Sequence, residues 1–248
     1  MGQIIPHYPL GKASGIAVYD EVVDKDFLSN LLIALAEDFQ ILFEQGPTIG
    51  GVDPFVKLCS DTNLMEYEKY GPHLRNYETY WDANRRIQHA MWSCISEYVQ
   101  SYRHLWTAPH LNLTAARVQR YQRNGGYYRE HVDGFSWVPQ TPDRPHRILA
   151  AVLYLNTVED GGGTIFPLHE YTSEPIAGRL VLFPTSWQYP HLGAVPFSGD
   201  KWIVSSFVTS RWSDENQYPF EVYNPEQTND GFIEPKEKNT ESPMDGDK

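Results

Sequence analysis

The sequence predicts a mainly β protein, an antiparallel barrel or jelly roll with helices placed ahead of it. Three observations lead there. From Leu113 onward the apolar residues come in short β-branched or aliphatic runs: Arg117–Tyr121, Arg147–Leu155, Arg179–Phe183 and Lys201–Thr209. Gly, Pro and Asp separate these runs, and no helical stretch lies between them. The long segments of helical period both precede Leu113. Aromatic residues (Trp 7, Tyr 16, Phe 11) make up 14% of the chain, a share that suits pleated surfaces and aromatic grooves alike.

The first helix is expected near Asp26–Phe43. Phe27, Leu28, Leu31, Leu32, Leu35 and Phe39 recur at helical spacing, and Asp24 or Asp26 can cap it. Gly46, Pro47, Gly50, Gly51 and Pro54 then break the pattern, so Glu44–Asp82 reads as an irregular, tyrosine-rich segment of the kind that serves as a lid or binding loop. A second helix is expected over Ala83–Leu105, with Ile87, Met91, Cys94, Ile95, Tyr98 and Val99 as its buried stripe. The chain thus divides into a helical support region with a long loop (1–112), a β core (113–212) and an acidic extension (213–248). The extension contains Pro219, Pro225, Pro235 and Pro243 and has little to bury, so its last ~20 residues are expected to be disordered.

Composition narrows the function. At 248 residues and 41% hydrophobic, the chain can bury a core without disulfide or metal staples. Its net charge of −12 argues against a general nucleic-acid binder and against docking on an anionic membrane. Two cysteines, Cys59 and Cys94, outside any CxxC pair, suit a reducing compartment. With no run of ~18 apolar residues and no basic-then-apolar start, a cytoplasmic location is expected. The charge is uneven. Ser213–Lys248 holds ten acidic residues against three Lys, whereas Arg117–Arg147 holds six Arg against Glu130, Asp133 and Asp143. Such a basic middle fits either an anionic ligand or solvated Arg on strand faces.

The chemistry concentrates in the β region. His131 and Asp133 are two apart, so on a strand they share a face. The strand Leu180–Pro184 is followed by a loop carrying His191, and Lys201 stands ten residues after it. Two imidazoles and a carboxylate on one face form a facial triad suited to Fe(II), with coordination positions left open. Zinc tolerates the same donors but favours tetrahedral closure. Lys201 tips the choice to iron: an ammonium buried near a metal is costly without an anion, and a dicarboxylate chelating the metal at one end meets that need.

These elements fall in a recognisable order: Tyr121 to Asp133 as Tyr-x(9)-His-x-Asp, Tyr154–Asn156, Gly161–Pro167, Leu182–Pro184, His191 and Lys201. Over roughly Ala115–Ser210 the chain resembles the prolyl 4-hydroxylase family of Fe(II)/2-oxoglutarate dioxygenases. The resemblance implies a double-stranded β-helix (jelly roll) with supporting N-terminal helices. It implies His131, Asp133 and His191 as ligands of Fe(II), and Lys201 as partner of the distal carboxylate of 2-oxoglutarate. Tyr121 and Tyr154 match cosubstrate-binding tyrosines. Ser205 and Phe207 share the inward parity of Lys201, as a further carboxylate donor and an aromatic near the substrate, and Thr164 falls where it can line the cosubstrate pocket. Core packing, filler and turn chemistry are the alternatives for these five. Arg147 and Trp137 are candidates for substrate contact, with a surface ion pair ranking ahead of that role for Arg147. Tyr121 keeps the ten-residue spacing of oxygen-sensing members, which carry Arg where this chain has Lys201.

The implied reaction consumes 2-oxoglutarate and O2, gives succinate and carbon dioxide, and hydroxylates an unactivated C–H bond; ascorbate is a further candidate cofactor. A prolyl residue in a peptide or protein is the favoured substrate, with Glu44–Asp82 and Phe135–His146 flanking the mouth. A free amino acid or other small molecule is the alternative, and a non-catalytic jelly-roll binding module ranks below both. A nucleic-acid demethylase ranks low for want of a basic face, and no membrane partner is expected.

Overall fold

A computed structural model describes residues 5–48, 51–64, 74–102, 105, 111–134 and 146–210. In chain order its strands are β1 (Ala17–Tyr19), β2 (Glu44–Gln45), β3 (Lys57–Leu58), β4 (Ser60–Asn63), β5 (Leu111–Leu113), β6 (Arg117–Tyr121), β7 (Tyr127–His131), β8 (His146–Tyr154), β9 (Thr164–Phe166), β10 (Tyr171–Ser173), β11 (Leu180–Pro184), β12 (His191–Gly193) and β13 (Lys201–Ser210). They form two antiparallel sheets. The major sheet runs β1-β11-β8-β13-β6-β4-β2, with β5 also paired to β13; the minor one runs β10-β9-β12-β7-β3. This is the jelly roll expected from the strand-and-turn pattern.

Strand alternation explains how the sheets are covered. On β13, Val204 and Val208 face a core shared with the helices, while Ile203 and Phe207 face the space between the sheets. On β8, Leu149, Ala151 and Leu153 take the helix side, and Ala150 and Tyr154 the inner side. The helix side is filled by Leu28, Leu31 and Leu35 of α1 (Lys25–Glu37) and by Ile87, Met91 and Ile95 of α3 (Tyr77–Ser101), all nearly fully buried. Each such side chain stabilises the fold by about 1.5–3 kcal/mol. The inner face holds the second core, with Phe166 of β9 against Phe183 of β11 at 4.9 Å between ring centroids.

The helices depart from the periodicity in two places. Asp24 caps α1, its carboxylate accepting from the Phe27 amide at 2.9 Å. The expected single helix to Phe43 is interrupted at Asp38, after which α2 (Phe39–Leu42) restarts. Asp38 is buried; its carboxylate accepts from the Asn76 amide (3.2 Å), the Asn76 side chain (3.1 Å) and the Tyr80 hydroxyl (2.9 Å). These long-range bonds outweigh the local helical pattern. The second helix starts at Tyr77 rather than Ala83 and ends at Ser101 rather than Leu105.

Glu44–Asp82 is not irregular throughout, since it supplies β2, β3, β4 and the first turn of α3. The polar stretch Ser60–Asn63 has no apolar alternation to announce a strand, yet it pairs along β6. The expectations for Trp137 and for the acidic extension lie outside the described residues. Among the described residues, no helix is long and apolar enough to cross a membrane.

Candidate active site

β7 and β12 are neighbours in the minor sheet and bring His131 and His191 opposite each other as paired residues. Their ring centroids are 4.2 Å apart. Asp133 follows just beyond the end of β7, and the amide of the next residue, Gly134, donates to the Thr185 carbonyl at 2.8 Å, tying the turn down. The Asp133 carboxylate lies 3.6 Å from Nε2 of His131 and 3.3 Å from Nε2 of His191. The three residues offer ligand atoms all within 4.8 Å of one another.

Both imidazoles are oriented from behind. Nδ1 of His131 lies 2.8 Å from the Arg129 carbonyl, and Nδ1 of His191 3.1 Å from the Tyr189 carbonyl. With a metal bound, a proton on each Nδ1 would leave both Nε2 lone pairs aimed at one point, the usual preparation of a metal-binding histidine. Burial alone would raise the Asp133 carboxyl, but hydrogen bonds to His131 and His191 overcome it and hold the group far below the usual carboxylate range. For His191 burial pulls downward and the Asp133 carboxylate outweighs it, so the imidazole is raised. The cluster therefore keeps its carboxylate charged and favours a cation beside it. Phe183 and Phe166 wall His191 at 4.7 and 5.8 Å between centroids.

Tyr128 stacks on His131, with centroids 3.6 Å apart and ring planes within 20°. Strict alternation from His131 does not select it, because it lies three residues away. The register explains the outcome: His191 pairs with His131 but Gly193 pairs with Tyr128, so β7 carries one residue more than β12 across this stretch. Such a bulge re-aims side chains. The Tyr127–Tyr128 doublet just before the His-x-Asp pair was the available signal.

Lys201 and Tyr121 are paired across β13 and β6. The Lys201 ammonium sits 4.3 Å from the Tyr121 ring centroid, and the residue is 2% exposed. Burial pushes the ammonium down to about 7. Among the described residues no carboxylate forms an ion pair with it. A Cβ at Gly193 would lie 3.4 Å from Nζ and one at Gly162 3.5 Å from Cδ, so two glycines leave the lysine room. An enclosed ammonium without a counter-charge is costly, which makes the pocket suited to an anion.

The other predicted cosubstrate residues form two groups. The Tyr121 hydroxyl donates to Oε1 of Gln119 at 2.8 Å, and Nε2 of Gln119 donates to Oγ of Ser205 at 3.1 Å. Gln119 was missed from the sequence; its place two residues before Tyr121, on the same strand face, was the signal. Tyr154 is buried and donates to Oγ1 of Thr164 (2.6 Å) and to the Ser173 carbonyl (3.2 Å), so the structure joins Tyr154 and Thr164 to each other. Arg147 lies with its guanidinium 3.7 Å from the Phe207 ring centroid and 4.0 Å from the Asp133 carboxylate, which brings two of the three predicted substrate residues together, Arg147 next to the triad and Phe207 against Arg147.

Residues 116–209 match the family model of the 2OG-Fe(II) oxygenase superfamily, which bears out the resemblance carried by the motif order. The fold is similar to that of solved prolyl hydroxylases. The viral collagen prolyl hydroxylase of Paramecium bursaria Chlorella virus-1, in its 2OG complex, superposes with a TM-score of 0.57 at 20% identity, covering 81% of this chain and 98% of that one. A Trichoplax adhaerens prolyl hydroxylase, solved with a hypoxia-inducible-factor peptide, gives 0.58 at 16% identity over 80% and 85%. A Pseudomonas putida prolyl-4-hydroxylase gives 0.53 at 16% over 81% and 95%. No curated protein matches the sequence significantly.

Proposed function

We propose, from the premise that residues 116–209 match the 2OG-Fe(II) oxygenase superfamily, that this chain is an Fe(II)- and 2-oxoglutarate-dependent dioxygenase acting on a prolyl residue of a peptide or protein. One juxtaposition carries the reading: two imidazoles and a charged carboxylate converging within 4.8 Å, in the same inter-sheet space as a buried ammonium that lacks a carboxylate.

The residues fit the groups this requires. His131, Asp133 and His191 would hold Fe(II), an N2O donor set that suits the ion and leaves coordination positions open. When bound, iron and 2-oxoglutarate supply the oxidising power for C–H hydroxylation, with succinate and carbon dioxide as co-products. The protein contributes position and electrostatics. The Arg129 and Tyr189 carbonyls fix the imidazoles. Lys201 would neutralise the distal carboxylate of the cosubstrate, which in turn removes the cost of its burial. Phe166 and Phe183 exclude water behind His191. Arg147 and Phe207 at the mouth would face the substrate, where a planar cation over an aromatic ring forms a firm platform for a peptide.

The relatives named above are prolyl hydroxylases, one of them solved with a peptide, and this favours a peptidyl substrate. The test is succinate release from 2-oxoglutarate with Fe(II), across proline-containing peptides and free amino acids. Turnover stimulated by peptides supports the reading; stimulation by a free amino acid alone moves the substrate to a small molecule. Absence of both 2-oxoglutarate binding and turnover leaves a binding module.

A further inference from the structure

We propose that Gln119 is a positioning residue of the cosubstrate pocket: its carboxamide decides which of two hydroxyls, Tyr121 or Ser205, donates to 2-oxoglutarate. The inference rests on the oxygenase reading and goes beyond it in assigning a residue and a role.

Gln119 is only 6% exposed and lies on the inner face of the major sheet. The pairing of β13 with β6 gives its level. Lys201 is opposite Tyr121, Ile203 opposite Gln119, and Ser205 opposite Arg117. Successive levels on one face are about 7 Å apart. Two residues past Ser205 comes Phe207, covered by Arg147, whose guanidinium reaches towards Asp133. Lys201 therefore marks one end of this wall and the triad's neighbour marks the other. Gln119 and Ser205 occupy the stretch between them.

A carboxamide offers an acceptor on one side and donors on the other. Here the Tyr121 hydroxyl spends its hydrogen on Oε1, while Ser205 accepts from Nε2 and keeps its own hydrogen. Among the described residues nothing accepts that hydrogen. Turning the amide by half a revolution exchanges the roles: Nε2 donates to the Tyr121 oxygen, the tyrosine hydrogen is released, and Ser205 donates to Oε1. In the first state the Ser205 hydrogen is free to meet an incoming ligand; in the second the Tyr121 hydrogen meets it in preference to the neighbouring Cys59 sulfur, a weak acceptor. A dicarboxylate brings only acceptors, so it uses whichever donor the amide releases, and loss of one hydroxyl is compensated by the other. A glutamate at this position would accept from both hydroxyls and leave the ligand none.

The test is calorimetric binding of 2-oxoglutarate to the Mn(II)-loaded protein, for the unaltered chain and for Tyr121→Phe, Ser205→Ala, the double variant and Gln119→Glu. With the amide free to turn, each single hydroxyl variant weakens binding by about threefold or less, whereas the double variant weakens it by ~30-fold, more than the product of the two. Gln119→Glu weakens it by about tenfold or more, with the Mn(II) affinity unchanged. Single variants whose effects simply multiply, or a Gln119→Glu protein binding 2-oxoglutarate within about twofold of the unaltered chain, overturn the role of Gln119. A purely structural Gln119 would lower the Tm of Gln119→Glu without moving the Kd. If that variant fails to fold, the Tyr121/Ser205 cycle decides alone. An unaltered chain that binds no 2-oxoglutarate removes the oxygenase reading itself, a different result from binding that ignores Gln119.

Discussion

Two buried charges define the site at the scale of single residues, and their environments differ. Asp133 is surrounded by hydrogen-bond donors and stays ionised; Lys201 faces an aromatic ring and stays charged only with difficulty. His131→Ala is expected to remove tight metal binding, seen by Mn(II) calorimetry, and to abolish succinate release. Lys201→Ala should leave metal binding intact and raise the 2-oxoglutarate concentration needed for half-maximal turnover by at least about tenfold, the worth of one charge-assisted contact. The pH dependence follows from the same group. Its charge is lost as pH rises through about 7, so 2-oxoglutarate affinity should fall from pH 6 to pH 8. The ligand-free fold shows the opposite trend. Above 7 the unfolded lysine still binds a proton that the folded one has released, so Lys201 contributes increasing stability with pH up to the ordinary lysine value. A urea series on the ligand-free protein, comparing the chain with Lys201→Met, measures that slope. A slope unchanged by the substitution would contradict the isolation of Lys201.

At the scale of elements, local pattern and distant contact compete. Strands long enough to show alternation, such as β6, β8, β11 and β13, were visible in the sequence to within a residue or two. The three-residue strands β1, β5, β9, β10 and β12 were not, because a strand that short carries no period of its own and exists only through its partner. The break between α1 and α2 has the same origin. Asp38 is an ordinary helix-surface residue by spacing, and only Asn76 and Tyr80, brought in from α3 and its approach, make it a junction. Asp38→Ala is therefore expected to cost about 2–3 kcal/mol, leaving the Asn76 donors without their buried acceptor. Chemical denaturation would read this as a shifted midpoint, with 2-oxoglutarate affinity unchanged. At the site, order in the sequence was enough to select His131, Asp133, His191 and Lys201. Tyr128 required the bulge in β7, and Gln119 required knowing that its amide meets Tyr121.

At the scale of the whole molecule, the major sheet is the shared wall of two cores, and its outer strands come from before residue 113. β1 pairs with β11, and β4 pairs with β6. A fragment of residues 113–210 would expose both of those strand edges and the whole face that α1 and α3 cover. It is expected to lack a cooperative thermal transition and to disperse poorly in proton NMR; a fragment that folds and binds Mn(II) would show the helices to be dispensable.

The central strand carries a last consequence. β13 is bonded along most of its length to β8 on one side and to β6 or β5 on the other, whereas β7 and β12 meet through an interrupted ladder of few pairs. Amide protons of β13 should exchange with deuterium only when the entire protein opens, while those flanking His131 and His191 exchange through smaller, cheaper excursions. The lysine end of the chamber thus inherits the rigidity of the whole, and the histidine end breathes. A metal held by His131, Asp133 and His191 should then leave on gentle warming before the protein melts.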